Sequence, residues 1–181
     1  MTRHLIARLC VAAATALLAP AMSRAEAPHE HGVVHLDIAV DKARITVQMS
    51  SPLDNLLGFE RAPRNDDERR RVAALVATLR APAALFAIDP AAGCKPGAVE
   101  LTSAALQLGK PDPAELQAGH ADIDASLEFD CAEAGRAAFV DTALLFRTYA
   151  GIQRIVVQVA SSRGQRMVTL TRAAQRIVLP R

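Results

Sequence analysis

Residues 121–131 place Ala121, Ile123, Ala125, Leu127, Phe129 and Cys131 on one parity and Asp122, Asp124, Ser126, Glu128 and Asp130 on the other. Successive side chains of an extended backbone point to opposite faces, so this is a strand with one apolar and one polar face. Such a strand is stable only between neighbours and under a second layer that covers its apolar side. The chain supplies neighbours of the same kind. Val34, Leu36, Ile38 and Val40 alternate with His35, Asp37 and Ala39, and Ile45, Val47 and Met49 alternate with Arg44, Thr46 and Gln48. Asp41-Lys42-Ala43 joins these two runs into a hairpin, and Ser51-Pro52 ends the second, since proline cannot donate to a ladder. Ile155, Val157 and Val159 form another strand, which Ser161-Ser162-Arg163-Gly164 turns back into 167–170. Val99, Leu101 and the run 104–106 predict a strand after a turn at 93–97, and 177–179 predict a last short one.

One helix is expected. Asn65 is placed to cap it, Asp66, Asp67 and Glu68 fall in its first turn, and Val72, Leu75, Val76 and Leu79 follow at helical spacing. Arg69, Arg70 and Arg71 then read as its solvated side. Pro82 ends it and opens a short turn through 83–86. Residues 53–64 form a packed connection whose Leu53, Leu56, Leu57 and Phe59 must find a core, and 139–149 read equally as helix or strand. Hairpins around one helix, with no βαβ rhythm and no repeat, predict a single α+β domain with a mostly antiparallel β-sheet.

Of 21 lysines and arginines, three lie in residues 1–25 and no acid does. The remainder carries 18 basic against 19 acidic side chains. That balance, with one Tyr and no Trp, excludes the cationic stacking surface of a nucleic-acid binder. Residues 1–25 read as a cleaved secretory signal: Arg3 and Arg8, an apolar run over 9–19 too short to span a bilayer, then Ser23 and Ala25 as the small residues of the cleavage site. The mature domain is then 26–181, exported and with no membrane span. Cys10 leaves with the leader. Cys94 and Cys131 remain, and in an oxidising compartment one disulfide is their simplest fate; a pair of thiolate metal ligands is the rival.

Three of the four histidines past residue 25 lie in His29-Glu30-His31-Gly32-Val33-Val34-His35. In an extended chain residues 29, 31 and 35 share a parity. Neutral imidazole suits zinc, copper or nickel. The fourth, His120, precedes Asp122 and Asp124. Histidines and a carboxylate meeting across strands would make a three- or four-ligand divalent site; the alternative is a solvated tail beside an exposed strand face. Enzyme signatures are missing: there is no G-x-S-x-G, phosphate loop, dinucleotide fingerprint or H-E-x-x-H, and alternate Asp122 and Asp124 on an exposed face read as solvated rather than as an acid–base pair.

The sequence resembles the ZrgA-like family of bacterial periplasmic proteins linked to zinc uptake. The resemblance rests on His29-Glu30-His31-Gly32, on Ser51-Pro52-Leu53-Asp54-Asn55-Leu56-Leu57-Gly58-Phe59-Glu60 with Ala62-Pro63, on 82–86, and on His120-Ala121-Asp122 leading to Cys131. It implies a non-enzymatic zinc-binding accessory protein beside a zinc ABC importer or its binding protein. The metal positions it implies are His29, His31 and His120, with Asp122 as a fourth ligand and His35 as a rival. Arg61 departs from the family, whose members often carry His there, and arginine cannot ligate. The stretch 110–119 lacks the family's His-rich insert. Zn²⁺ is the expected cargo, with Cu²⁺ or Ni²⁺ admitted by the same donors. The competing reading is a metal-free exported adaptor that binds a partner through a sheet edge or the 53–59 segment.

Overall fold

The computed structural model describes residues 30–111 and 121–180. In chain order its strands are β1 (Val33–Val40), β2 (Arg44–Pro52), β3 (Ala87–Ile88), β4 (Cys94–Thr102), β5 (Asp122–Cys131), β6 (Phe139–Asp141), β7 (Arg154–Ser161), β8 (Gly164–Thr171) and β9 (Arg176–Val178). Its helices are α1 (Asp54–Leu57), α2 (Asp66–Leu79) and α3 (Ala143–Thr148).

The alternating segments pair as one six-stranded sheet in the order β4-β5-β2-β1-β7-β8, beside a small sheet β3-β6-β9. The expected hairpins form: β1 with β2 from His35 opposite Ser50 to Val40 opposite Ile45, and β7 with β8. β5 runs antiparallel along β2, and its parity is as read: Ile123, Ala125, Leu127 and Phe129 are buried. They join Leu36, Ile38, Val47, Met49 and Val157 of the same sheet face in a core. Leu75 and Leu79 of α2, Leu85, Phe86, Phe146 and Ile177 complete that core. One continuous apolar interior under both sheets makes this a single α+β domain, mostly antiparallel.

α2 begins where expected. The Asn65 side chain accepts the Glu68 amide hydrogen at 2.9 Å, and the three arginines on its solvent side pair with Asp66 and Asp67. Leu53 and Leu57 of the connecting segment are buried in the core, and Leu56 and Phe59 pack against it partly exposed.

Of four local points, two left open by the sequence are settled, the first and fourth, and two expectations change, the second and third. First, β1 and β7 pair in parallel, from Val33 beside Arg154 to Val40 beside Ser161. Their connection passes through most of the domain, and no local pattern announces it. Second, 93–97 is not simply a turn: β4 already starts at Cys94, because the Cys94–Cys131 disulfide sets that residue opposite the end of β5. β4 is an edge strand, where Pro96 is tolerated, and the register shifts between Pro96 and Val99. Third, 104–106 is a reversal rather than a strand, closed by mutual backbone bonds between Ser103 and Leu108. Fourth, 139–149 is both strand and helix: β6 leads into α3, and the Asp141 carboxylate accepts the Ala143 amide hydrogen at 2.9 Å.

Candidate functional site

The segment Ser51–Glu60 builds a corner at the end of β2. Ser51 and Leu53 are buried, and the Leu53 amide donates to the Ala121 carbonyl at 2.8 Å. α1 is a single turn, closed by Gly58 in a left-handed conformation (φ 78°) whose amide donates to the Asp54 carbonyl at 2.9 Å. Its second residue, Asn55, is 3% exposed. The Asn55 Oδ1 accepts the Gly32 amide hydrogen at 2.6 Å, and Nδ2 donates to the Val33 carbonyl at 2.7 Å and to Ser51 Oγ at 3.3 Å. Only a side-chain amide offers both an acceptor and two donors at this length.

The chain entering β1 is therefore gripped. A turn spans Glu30 to Val33, with the Val33 amide on the Glu30 carbonyl at 3.1 Å and Gly32 at φ 82°. On its far side the Gly32 carbonyl accepts the amides of Gln153 and Arg154 at 2.8 and 3.0 Å. Gly151 packs so closely on Asn55 that a Cβ there would stand 2.5 Å from the Asn55 carbonyl oxygen. Arg172 holds this neighbouring loop by donating to the carbonyls of Phe146, Tyr149, Ala150 and Ile152.

The turn delivers His31 between two carboxylates. Its Nδ1 lies 3.5 Å from Asp54 Oδ2 and its Nε2 lies 3.1 Å from Glu60 Oε1, with the imidazole 65% exposed. Asp54 opens α1. Glu60 follows Gly58 on a loop that Arg61 pins down: its guanidinium donates to both Glu68 carboxylate oxygens at 2.6 and 2.8 Å and lies 5.0 Å from the Phe59 ring centre. That guanidinium, with the Arg64 amide, holds the Glu68 carboxyl down to about 2.

Of the positions read from sequence, His29 and His120 lie outside the described residues, as do residues 1–25. His31 is at the corner. The shared parity of 31 and 35 does not hold, because the turn at Gly32 interrupts the extended backbone between them. His35 lies in β1 between Ser50 and Val156, half-buried, on the face opposite Leu36. Asp122 lies opposite Pro52 in the β2–β5 ladder. Among the described residues no three His, Cys, Asp or Glu side chains converge on one point that could hold a metal. At His31 the reason is geometric: Asp54 and Glu60 face different ring nitrogens, which point in diverging directions, and only one of them at a time carries a free lone pair. Sequence reasoning missed both carboxylates as partners of His31. They sit in the very segment it singled out, but nothing local states that the 30–33 turn docks there.

Comparison with known families decides the kinship. Residues 28–179 match the model of the ZrgA family, described as zinc uptake proteins. The chain belongs to this family. The ZrgA match covers both halves of the corner, β1 with its entering turn and the Ser51–Glu60 segment, and extends to β9. ZrgA proteins form a zinc uptake family rather than an enzyme family, so the role of this ZrgA chain is related to zinc uptake. No curated protein matches the sequence. Among the described residues, no helix is long and apolar enough to cross a membrane.

Proposed function

We propose that this chain binds Zn²⁺ as cargo in the periplasm and buffers it or hands it to a zinc ABC importer or that importer's binding protein. The observation that carries this reading is the docking of His31 against Asp54 and Glu60 by a buried Asn55 anchor, in a chain of a zinc uptake family. Structure is being spent to present an exposed imidazole beside carboxylates, which is chemistry that a divalent ion uses. His29 and His120 are proposed to complete the coordination, with water or Asp122 as the remaining donor. The Leu53–Ala121 hydrogen bond supports that convergence, since Ala121 directly follows His120 and Leu53 directly precedes Asp54. Mixed nitrogen and oxygen donors with an open position exchange metal faster than closed thiolate sites, as delivery requires. Cu²⁺ and Ni²⁺ would compete for the same imidazoles. Export through the 1–25 leader is part of this proposal.

The test is calorimetric titration of tag-free protein with Zn²⁺ at neutral pH. Saturable heat in the wild type, lost in a His29/His31/His120→Ala variant, is expected. No heat in the wild type, or unchanged heat in the variant, overturns the reading.

A further inference from the structure

The two carboxylates beside His31 stand in different chemical positions, and the difference divides their roles. Asp54 faces Nδ1, the ring nitrogen nearer the backbone. Both it and the His31 backbone are set by the same anchor: Asp54 precedes Asn55, which holds Gly32 and Val33. At 3.5 Å that carboxylate acts on the ring by its charge, favouring a proton on Nδ1 and so leaving Nε2 as the donor nitrogen. Glu60 faces Nε2, the distal nitrogen of a ring 65% exposed, where an ion can enter from solvent. Its Oε1 stands 3.1 Å from Nε2. Zinc–nitrogen and zinc–oxygen bonds near 2.1 Å at a tetrahedral angle set two donors about 3.4 Å apart. The Nε2–Oε1 pair, at 3.1 Å, stands a few tenths of an ångström inside that spacing, so a small outward turn of the Glu60 carboxylate would admit an ion between them, whereas an oxygen at Nδ1 cannot reach the same ion.

We infer that Glu60 is a direct ligand to the metal taken up at His31 Nε2, and that Asp54 is a positioning residue that orients the imidazole through Nδ1. This rests on the zinc-binding reading above and adds to it a ligand outside the histidine set. Arg61 gains a role in it. Its guanidinium is engaged by both Glu68 carboxylate oxygens, and so it holds the loop that carries Glu60.

Cobalt(II), a spectroscopically visible substitute for Zn²⁺, separates the two roles. The experiment titrates Co²⁺ alone, followed by Zn²⁺ displacement, into wild-type, Glu60→Gln and Asp54→Asn proteins. The Glu60→Gln protein should lose about a hundredfold in affinity and shift its visible bands, because a donor on the ion has changed. The Asp54→Asn protein should lose about tenfold with band positions kept, because the donors are the same. Both side chains are exposed by more than a third, and unchanged melting of the metal-free variants confirms that each folds. Wild-type bands that persist unshifted in Glu60→Gln overturn the assignment while leaving zinc binding intact. Bands that shift in Asp54→Asn but not in Glu60→Gln reverse it. A wild type that binds neither ion overturns the underlying reading as well.

Discussion

Asn55 and Glu68 show how much of the corner around His31 is decided by single side chains that bond its neighbours. Asn55 satisfies a buried amide and a buried carbonyl of the β1 entry, so its loss would leave both without partners at a cost of roughly 1–3 kcal/mol each. Glu68 works through charge. Its carboxyl titrates near 2 rather than 4.5, because Arg61 and the Arg64 amide bond its ionised form. A depressed carboxyl pKa adds stability that is fully present above the unfolded value of 4.5. That stability drains away as pH falls from 4.5 through about 2, below which folded and unfolded states are both protonated. Glu68→Gln should therefore be less stable than wild type at pH 6, with the gap narrowing steadily between pH 4.5 and 2. Denaturant midpoints measured across that range check it. A gap that does not change with pH would show that the ion pair is not its source. The sequence announced Asn65 as a cap because capping is local; the partners of Asn55 and Glu68 depend on loops that only the folded chain brings up.

At the level of elements, the alternating segments were legible because burial on one face writes a period of two into the chain. β5, the β1–β2 hairpin and the β7–β8 hairpin appear as read, and so does α2 with its acidic first turn. β4 was harder. Its first half carries Cys94, Pro96 and Gly97, turn-forming residues by composition, yet it pairs with β5 because an edge strand needs only one ladder and the disulfide fixes its end. The cross-link spans a sequence separation of 37. Replacing Cys94 and Cys131 with alanine should cost about 4 kcal/mol by the loop-entropy account. The expected result is a lower denaturant midpoint under non-reducing conditions, equal to that of reduced wild type. A double variant as stable as oxidised wild type would mean that the bond constrains nothing the unfolded chain explores. The Arg44 bridges to Glu128 and Asp130 link β2 and β5 on the polar face. These are exposed pairs, whose contribution is small beside that of the disulfide.

Across the whole molecule, the parallel β1–β7 contact ties the entry turn to the loop at 151–153. Docking of His31 is thereby coupled to closure of the sheet. A ligand held only by the native state raises its melting temperature with concentration, by about 2.7 kcal/mol of stability at a hundred times Kd. Thermal melting should therefore rise with added Zn²⁺ and return to the metal-free value with chelator. The increment should be reduced in Asn55→Ala even where that protein still melts cooperatively. A melt indifferent to both zinc and chelator would instead favour the metal-free adaptor reading.

The sequence alone determined β1, β2, β5 and β7 with their buried faces, the hairpin partner β8, the helix α2 and its cap, and the cysteine pair. Each of these is written in residues near one another or in a compartment rule for cysteines. Which carboxylates meet His31, which strand lies beside β1 and why Arg61 faces Glu68 were decided only by the tertiary structure. A turn with a left-handed glycine breaks the parity on which extended-chain reasoning depends, and a parallel pairing across most of the chain leaves no mark on any local stretch of it.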